Sequence, residues 1–192
     1  MNIDNDRKLQ AEVLEQFRDR WSPRAFSPTP LTEAEIMSLF EAARWAPSCF
    51  NEQPWFFVYG AEGERLQKMR TLLLEGNRRW ADKAPFLAIL FAKKKFAQGG
   101  KKNRHFGFDC GAAWMSLALQ ARALGLYAHA MAGFKSDESY ELLGVDKDEY
   151  RAMVAIAVGH YGDPEELTDD LRAMEKPNGR KALAEVFKAG PS

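Results

Sequence analysis

The chain has 192 residues, 46% of them hydrophobic and 28% charged, a composition suited to one globular domain with a substantial core. Lysine plus arginine and aspartate plus glutamate number 27 each, and a net charge of zero speaks against a nucleic-acid binder. Only two cysteines occur, Cys49 and Cys110, which rules out a disulfide framework and points to a reducing, cytoplasmic setting. The polar start Met1–Lys8 does not read as a secretory signal, and no run of about 18 apolar residues suggests a membrane span.

In chain order, Ala11 to Phe17 reads as a helix that Pro23 ends, with Pro28 and Pro30 keeping the next stretch extended. Thr32 with Glu35 forms a capping box for a helix carrying Ile36, Leu39, Phe40 and Ala43, stopped by Pro47. Trp55 to Tyr59 predicts a strand and Glu64 to Leu74 a helix, punctuated by Gly76-Asn77. Phe86 to Ala92 is apolar throughout, as a buried central strand would be. Lys93 to His105 is basic and glycine-bearing, and predicts a mobile loop or lid. Phe108 to Leu124 is a long helix, apolar on most faces and therefore buried in a core or a dimer seam, with Gly125 at its C-terminal end. Tyr127 to Met131 predicts a strand, Ser139 to Leu143 a helix and Met153 to Gly159 the last strand. The whole of 1–192 reads as a single layered α/β domain with a sheet between helices, and 169–192 as a C-terminal arm.

Familiar catalytic signatures are missing. There is no GxGxxG, Walker A, HExxH or GxSxG pattern, and the three histidines are far apart, so no metal site is expected. A chain so poor in acid–base equipment can take its chemistry from a cofactor. Two segments offer binding groups. Arg20-x-Ser22-x-Arg24 sets two guanidinium groups and a hydroxyl where they could grip a phosphate, or could simply be solvated around a turn. Pro47-Ser48-Cys49-Phe50-Asn51-Glu52-Gln53-Pro54 could present polar groups to a planar heterocycle, or could be an ordinary helix-to-strand connection.

Taken in order, these segments resemble the nitroreductase family. Arg20-x-Ser22-x-Arg24-x-Phe26 is followed by Ala46-Pro47-Ser48-x-x-Asn51-x-Gln53-Pro54-Trp55, Gly76-Asn77, Ala84-Pro85, Asp109 opening the long helix, Leu124-Gly125-Leu126, Met131-Ala132-Gly133-Phe134, Val158-Gly159 and Arg180-Lys181-x-Leu183. The resemblance spans roughly residues 10 to 187. It implies a three-layer α-β-α sandwich, an intertwined homodimer, FMN at the subunit interface, and NADH or NADPH as co-substrate. By matching position, Arg20 and Ser22 would hold the FMN phosphate and ribityl chain, with Trp21 beside them. Arg24 would approach the ring edge where the reduced flavin gathers negative charge. Asn77 would bond the pyrimidine edge or ribityl chain, and Pro47, Ser48 and Asn51 would reach the flavin held mainly by the other subunit. Gly133 would turn its backbone N–H towards N5 with Ala132 alongside, and Arg180 with Lys181 would close on the phosphate.

The implied activity is a ping-pong NAD(P)H oxidoreductase acting on nitroaromatic, quinone or similar electron-poor acceptors. Alternatives are other chemistry on the same scaffold (dehalogenation, flavin fragmentation, oxidase activity), a flavin-binding protein without turnover, and a cofactor-free α/β dimer. Three positions depart from the pattern. Trp21 stands where many members have Arg or His, Cys49 where many have Ser, and Ala132 where some have Glu. Cys49 reads as an inert buried thiol or a reactive one near the flavin. The basic stretch Lys93–Arg104 reads as a solvated loop or as a lid that attracts NAD(P)H phosphates.

Overall fold

Eight consecutive residues, Phe86–Lys93, form strand β2, and seven of them are buried, because apolar side chains face packed helices on both sides of the sheet. The computed structural model describes residues 5–191 and arranges β1 (Trp55–Gly60), β2, β3 (Tyr127–Met131) and β4 (Tyr150–Gly159) in the order β1-β2-β4-β3. Every pairing is antiparallel, with Trp55 opposite Ala92, Phe86 opposite Val158 and Tyr127 opposite Gly159. A register shift between Leu90 and Phe91 bends the central pair.

Alternation along β2 divides the core between the two faces of the sheet. Phe86, Ala88, Leu90 and Ala92 belong to one cluster with Ile36, Leu39 and Ala43 of α2 (Glu33–Arg44) and with Cys110, Ala113, Leu117, Ala118 and Ala121 of α5 (Phe106–Ala123). Leu87, Ile89 and Phe91 belong to the other, with Leu66 and Met69 of α3 (Gly63–Thr71) and Trp80 and Ala81 of α4 (Glu75–Ala81). Helices, sheet and helices make three layers, as the resemblance implies. Each fully buried Leu or Phe contributes about 1.5–3 kcal/mol, so the two faces of β2 dominate the stability of the sheet. The α2 start carries both halves of its capping box: Glu35 N donates to Thr32 Oγ1 (3.2 Å) and Thr32 N donates to the Glu35 carboxylate (2.7 Å).

Several boundaries differ from expectation. The first helix, α1, runs only from Glu15 to Asp19 and buries no residue; Val13, Leu14 and Phe17 are exposed, and an apolar face without a partner does not hold so short a helix at its start. The expected helix 64–74 ends at Thr71, and a separate helix, α4, begins at Glu75, directly across the Gly76-Asn77 that reads as punctuation. The basic stretch after β2 is a loop that folds back on itself: Lys95 bridges Lys102, Phe96 N donates to Lys101 O (2.8 Å), and Gly99 and Gly100 turn the chain with positive φ. The helix α6 (Ser136–Leu143) and strand β4 both start three residues earlier than their apolar runs suggest, and α5 starts two residues earlier. Among the described residues no helix is long and apolar enough to cross a membrane.

The chain just beyond β4 positions the segment between α1 and α2. Phe26 bridges Tyr161, Ser27 N donates to His160 O (3.0 Å) and Gly162 N donates to Ala25 O (2.9 Å). A Cβ on Gly162 would lie 2.6 Å from the carbonyl carbon of Phe26, so only glycine permits this approach. Arg20, Ser22 and Arg24 are thus carried on a segment laid beside the end of β4.

Candidate functional site

A cavity of about 190 Å³ lies where this segment, β3 and the C-terminal arm meet, lined by Arg7, Arg20, Trp21, Ser22, Arg24, His129, Met174, Lys176, Asn178 and Arg180. Its walls hold five basic side chains and no carboxylate. Among the described residues none of Arg7, Arg20, Arg24, Lys176 or Arg180 forms an ion pair. Burial, and then the neighbouring Arg180, pull the Arg20 guanidinium below its usual pKa. Glu175, adjoining the segment that carries Arg24, spends both carboxylate oxygens on backbone: Arg24 N donates to them at 2.9 and 3.0 Å and Ala25 N to one at 2.8 Å. Burial raises the Glu175 pKa, although those N–H groups and Arg24 favour its charged form. Trp21 is 4% exposed, and its indole Nε1 has no acceptor among the described residues. Unpaired cations around a cavity, with an orphaned donor in its wall, suit a phosphate-bearing ligand with hydrogen-bonding groups behind the phosphate.

His129 forms part of the same wall. Its Nδ1 lies 2.8 Å from Pro23 O, and its ring stacks on Trp80 with centroids 4.5 Å apart. A carbonyl can only accept, so Nδ1 carries the proton and Nε2 of the neutral ring keeps its lone pair. Burial, with Arg24 and Arg20 nearby, pushes the His129 pKa down to about 4 against the bond to Pro23.

Gly133 lies four residues beyond His129, at most about 14 Å along the chain. Asn77 Nδ2 donates to Gly133 O (2.8 Å), and Leu74 N donates to the same oxygen (3.1 Å). The Gly133 N–H has no acceptor among the described residues. A Cβ at 133 would stand 2.7 Å from Asn77 Nδ2. Gly133→Ala is therefore expected to fold, because the obstructing atom ends a flexible side chain, but to displace Asn77 and lose about 1 kcal/mol with that bond. Thermal denaturation together with flavin titration checks this; unchanged stability and unchanged flavin affinity would separate the pair from the site.

The sequence profile of the Nitroreductase family matches residues 17–79 and 61–160. The chain belongs to the nitroreductase family. Relatives named as NADH dehydrogenase/NAD(P)H nitroreductases occur in Streptomyces coelicolor, 28% identical over 77% of this chain and 82% of that protein, and in Archaeoglobus fulgidus, 28% identical over 87% and 94%. A crystal structure described as an oxidoreductase containing FMN superposes with a TM-score of 0.93 at 38% identity, covering 100% of this chain and 98% of the other. A nitroreductase from Exiguobacterium sibiricum in complex with FMN shares the fold at 18% identity, with a TM-score of 0.74 over 95% and 99% of the two chains.

Of the residues singled out from sequence, the fold brings Arg20, Trp21, Ser22, Arg24 and Arg180 to one cavity and joins Asn77 to Gly133. Ala132 is exposed beside Gly133, and Lys181 is exposed and outside the cavity wall. Pro47, Ser48 and Asn51 lie apart from that wall, in a loop braced by Gln53 N donating to Ser48 Oγ (2.9 Å) and Cys49 N donating to the buried Asp109 (3.3 Å). Phe50, Asn51 and Gln53 all have positive φ, a strained backbone that projects the Phe50 ring outward, 88% exposed. Cys49 is half-buried, whereas burial and Asp109 push the Cys110 thiol up to about 12. Sequence reasoning missed Arg7, His129, Lys176 and Asn178. No local pattern marks them; only the basic character of Lys176 beside Arg180 was there to be noticed.

Proposed function

We propose that this chain is an FMN-dependent oxidoreductase that takes reducing equivalents from NADH or NADPH and delivers them to nitroaromatic, quinone or similar electron-poor acceptors, with the two half-reactions alternating in ping-pong order. The observation that carries this is the cavity of unpaired cations built from the family's own Arg20-x-Ser22-x-Arg24 and Arg180. The FMN named in related structures fits it: a phosphate would neutralise the basic wall, and the buried Trp21 Nε1 and the Ser22 hydroxyl offer donors beyond it.

Bound FMN would supply the hydride-transfer chemistry that no side chain here can supply. Arg20, Lys176 and Arg180 would hold the phosphate, with Lys181 closing from outside. Arg24, with no acceptor for its guanidinium among the described residues, would set positive charge at the ring edge and favour electron uptake. Gly133 would offer its free N–H to the reacting edge, with Ala132 alongside, while Asn77 fixes the peptide that carries it. Neutral His129 can accept a hydrogen bond at Nε2, while its one ring proton, on Nδ1, is committed to Pro23 O.

Pro47, Ser48 and Asn51 would complete the flavin site of a second copy in a homodimer. Support comes from the outward-facing Trp45, Phe50 and Phe108, which are 73%, 88% and 84% exposed; large aromatics are seldom left so bare in a lone protomer. A cytoplasmic location accords with the unpaired cysteines.

The test is an absorbance spectrum of purified protein before and after FMN, then after NADH or NADPH without oxygen. Flavin bands that bleach on adding reductant are expected. Bands that persist would leave a flavin binder without nicotinamide chemistry, and no bound flavin would remove the site assignment.

A further inference from the structure

Arg7 precedes α1 by eight residues, yet it lines the basic cavity. Its guanidinium is held by three carbonyls. Nη1 donates to Arg18 O (2.7 Å) and Arg20 O (2.8 Å), and Nε donates to Asn178 O (2.8 Å). Those bonds use three of its five N–H groups, and Nη2 has no acceptor among the described residues. The same contacts tie three remote pieces of chain together: the N-terminal segment, the segment carrying Arg20, and the C-terminal arm. A second tie runs beside it, with Leu183 N donating to the Gln10 side chain.

A cation placed here works against its neighbours. Burial, then Arg180 and Arg20, draw its pKa below the usual arginine value, outweighing Asp19 and Asp6, which favour its charge. Carbonyl anchors explain how the guanidinium is held. They do not explain why a charged group stands in an already basic wall, since a neutral donor would serve as an anchor without the repulsion. An anion in the cavity would account for it.

Resting on the flavin reading above, we infer that Arg7 is a phosphate ligand of this site, contributed by the N-terminal segment, its Nη2 edge donating to the cofactor's phosphate monoester while its other edge clips the C-terminal arm over the cavity. The arm and the N-terminal segment then close together on the phosphate end of the ligand, and Arg7 discriminates FMN from riboflavin.

Apo protein of the full chain is titrated with FMN and with riboflavin by flavin fluorescence, as wild type and as Arg7→Gln. Loss of a charge-assisted contact is expected to weaken FMN by at least about tenfold. Riboflavin, which lacks the phosphate, should change by less than about threefold. Unchanged FMN affinity overturns the assignment, and so does an equal loss for both flavins, which would make Arg7 a staple of the fold alone. Wild type that binds neither flavin defeats the flavin reading itself, a result distinct from either. Should Arg7→Gln fail to fold, wild type decides the matter through phenylglyoxal labelling of Arg7, followed by peptide mass spectrometry. Protection by saturating FMN but not by saturating riboflavin upholds the phosphate contact, and equal labelling in the two overturns it.

Discussion

Arg20→Gln is expected to leave the apo protein as stable as wild type or more stable, by about 0.5–1 kcal/mol, while weakening FMN between about tenfold and a hundredfold. The two signs have one cause. Arg20 is half-buried, its guanidinium has no acid partner among the described residues, and Arg180 stands close enough to oppose its charge. In the empty protein that charge is a cost, and glutamine, shorter and neutral, removes it. With a phosphate in the cavity the same charge becomes a partner, and hydrogen bonds to charged groups contribute about 1.5–3 kcal/mol each. Urea denaturation of the apo protein and flavin titration measure the two effects separately. A variant that loses stability and keeps its FMN affinity would show that Arg20 holds the fold and leaves the ligand alone. Arg7→Gln differs in a telling way: it takes the donors from three carbonyls, so its apo protein should be less stable than wild type.

The parts of the fold legible in the sequence are those whose reasons are local. Phe86–Ala92 is an unbroken apolar run and is an inner strand; Thr32 and Glu35 cap α2 as their spacing says; Cys110, Ala113, Leu117 and Ala121 repeat at helical intervals and α5 forms around them. Helix α4 was hidden because Gly76 and Asn77 have the composition of a break, and Leu74, at its N-cap, gives no side-chain bond to announce a start. What forms it is tertiary: Trp80 is buried between Phe26, with ring centroids 6.1 Å apart, and His129, 4.5 Å apart. Those contacts draw on chain segments that precede and follow α4 by many residues, and no local window contains them.

The site divides in the same way. Arg20, Ser22, Arg24 and Arg180 sit in short motifs whose order along the chain is informative, and they do share a cavity. Arg7 and Asn178 are 171 positions apart and acquire meaning only when the chain ends meet. Gly133 is legible as a glycine, but the reason for it, an amide 2.7 Å from where its Cβ would stand, depends on α4 and so was out of reach. The basic Lys93–Arg104 stretch shows the converse. Charge and glycine content read as a loop, but they do not give the pairing of Lys95 with Lys102, which is set by hydrogen bonds that composition does not encode.

His129 should make the apo protein acid-sensitive over a defined window. Its ring is neutral in the fold, where burial and the guanidinium groups of Arg20 and Arg24 hold its pKa down to about 4, against 6.5 in an unfolded chain. The sign follows from proton uptake. Between these values the unfolded chain binds a proton that the folded one refuses, so stability is fully present above pH 6.5, falls as the pH drops, and levels off below about 4. The gap corresponds to at most roughly 3.5 kcal/mol. Carboxylates titrate near the lower end of this range, and Glu175, whose pKa burial raises, works in the opposite direction. The comparison must therefore be a difference between two proteins. In His129→Gln the amide can still donate to Pro23 O, but the titrating ring and its stack on Trp80 are gone. That variant should be less stable near neutrality by about 0.5–1.5 kcal/mol, the contribution of an aromatic stack, yet lose less stability on acidification than wild type. Denaturant titrations of both apo proteins at pH 7, 5.5 and 4 give the result. Parallel curves would mean that His129 titrates alike in the folded and unfolded chains, and that the basic wall does not press on it as its place between Trp80 and the two arginines requires.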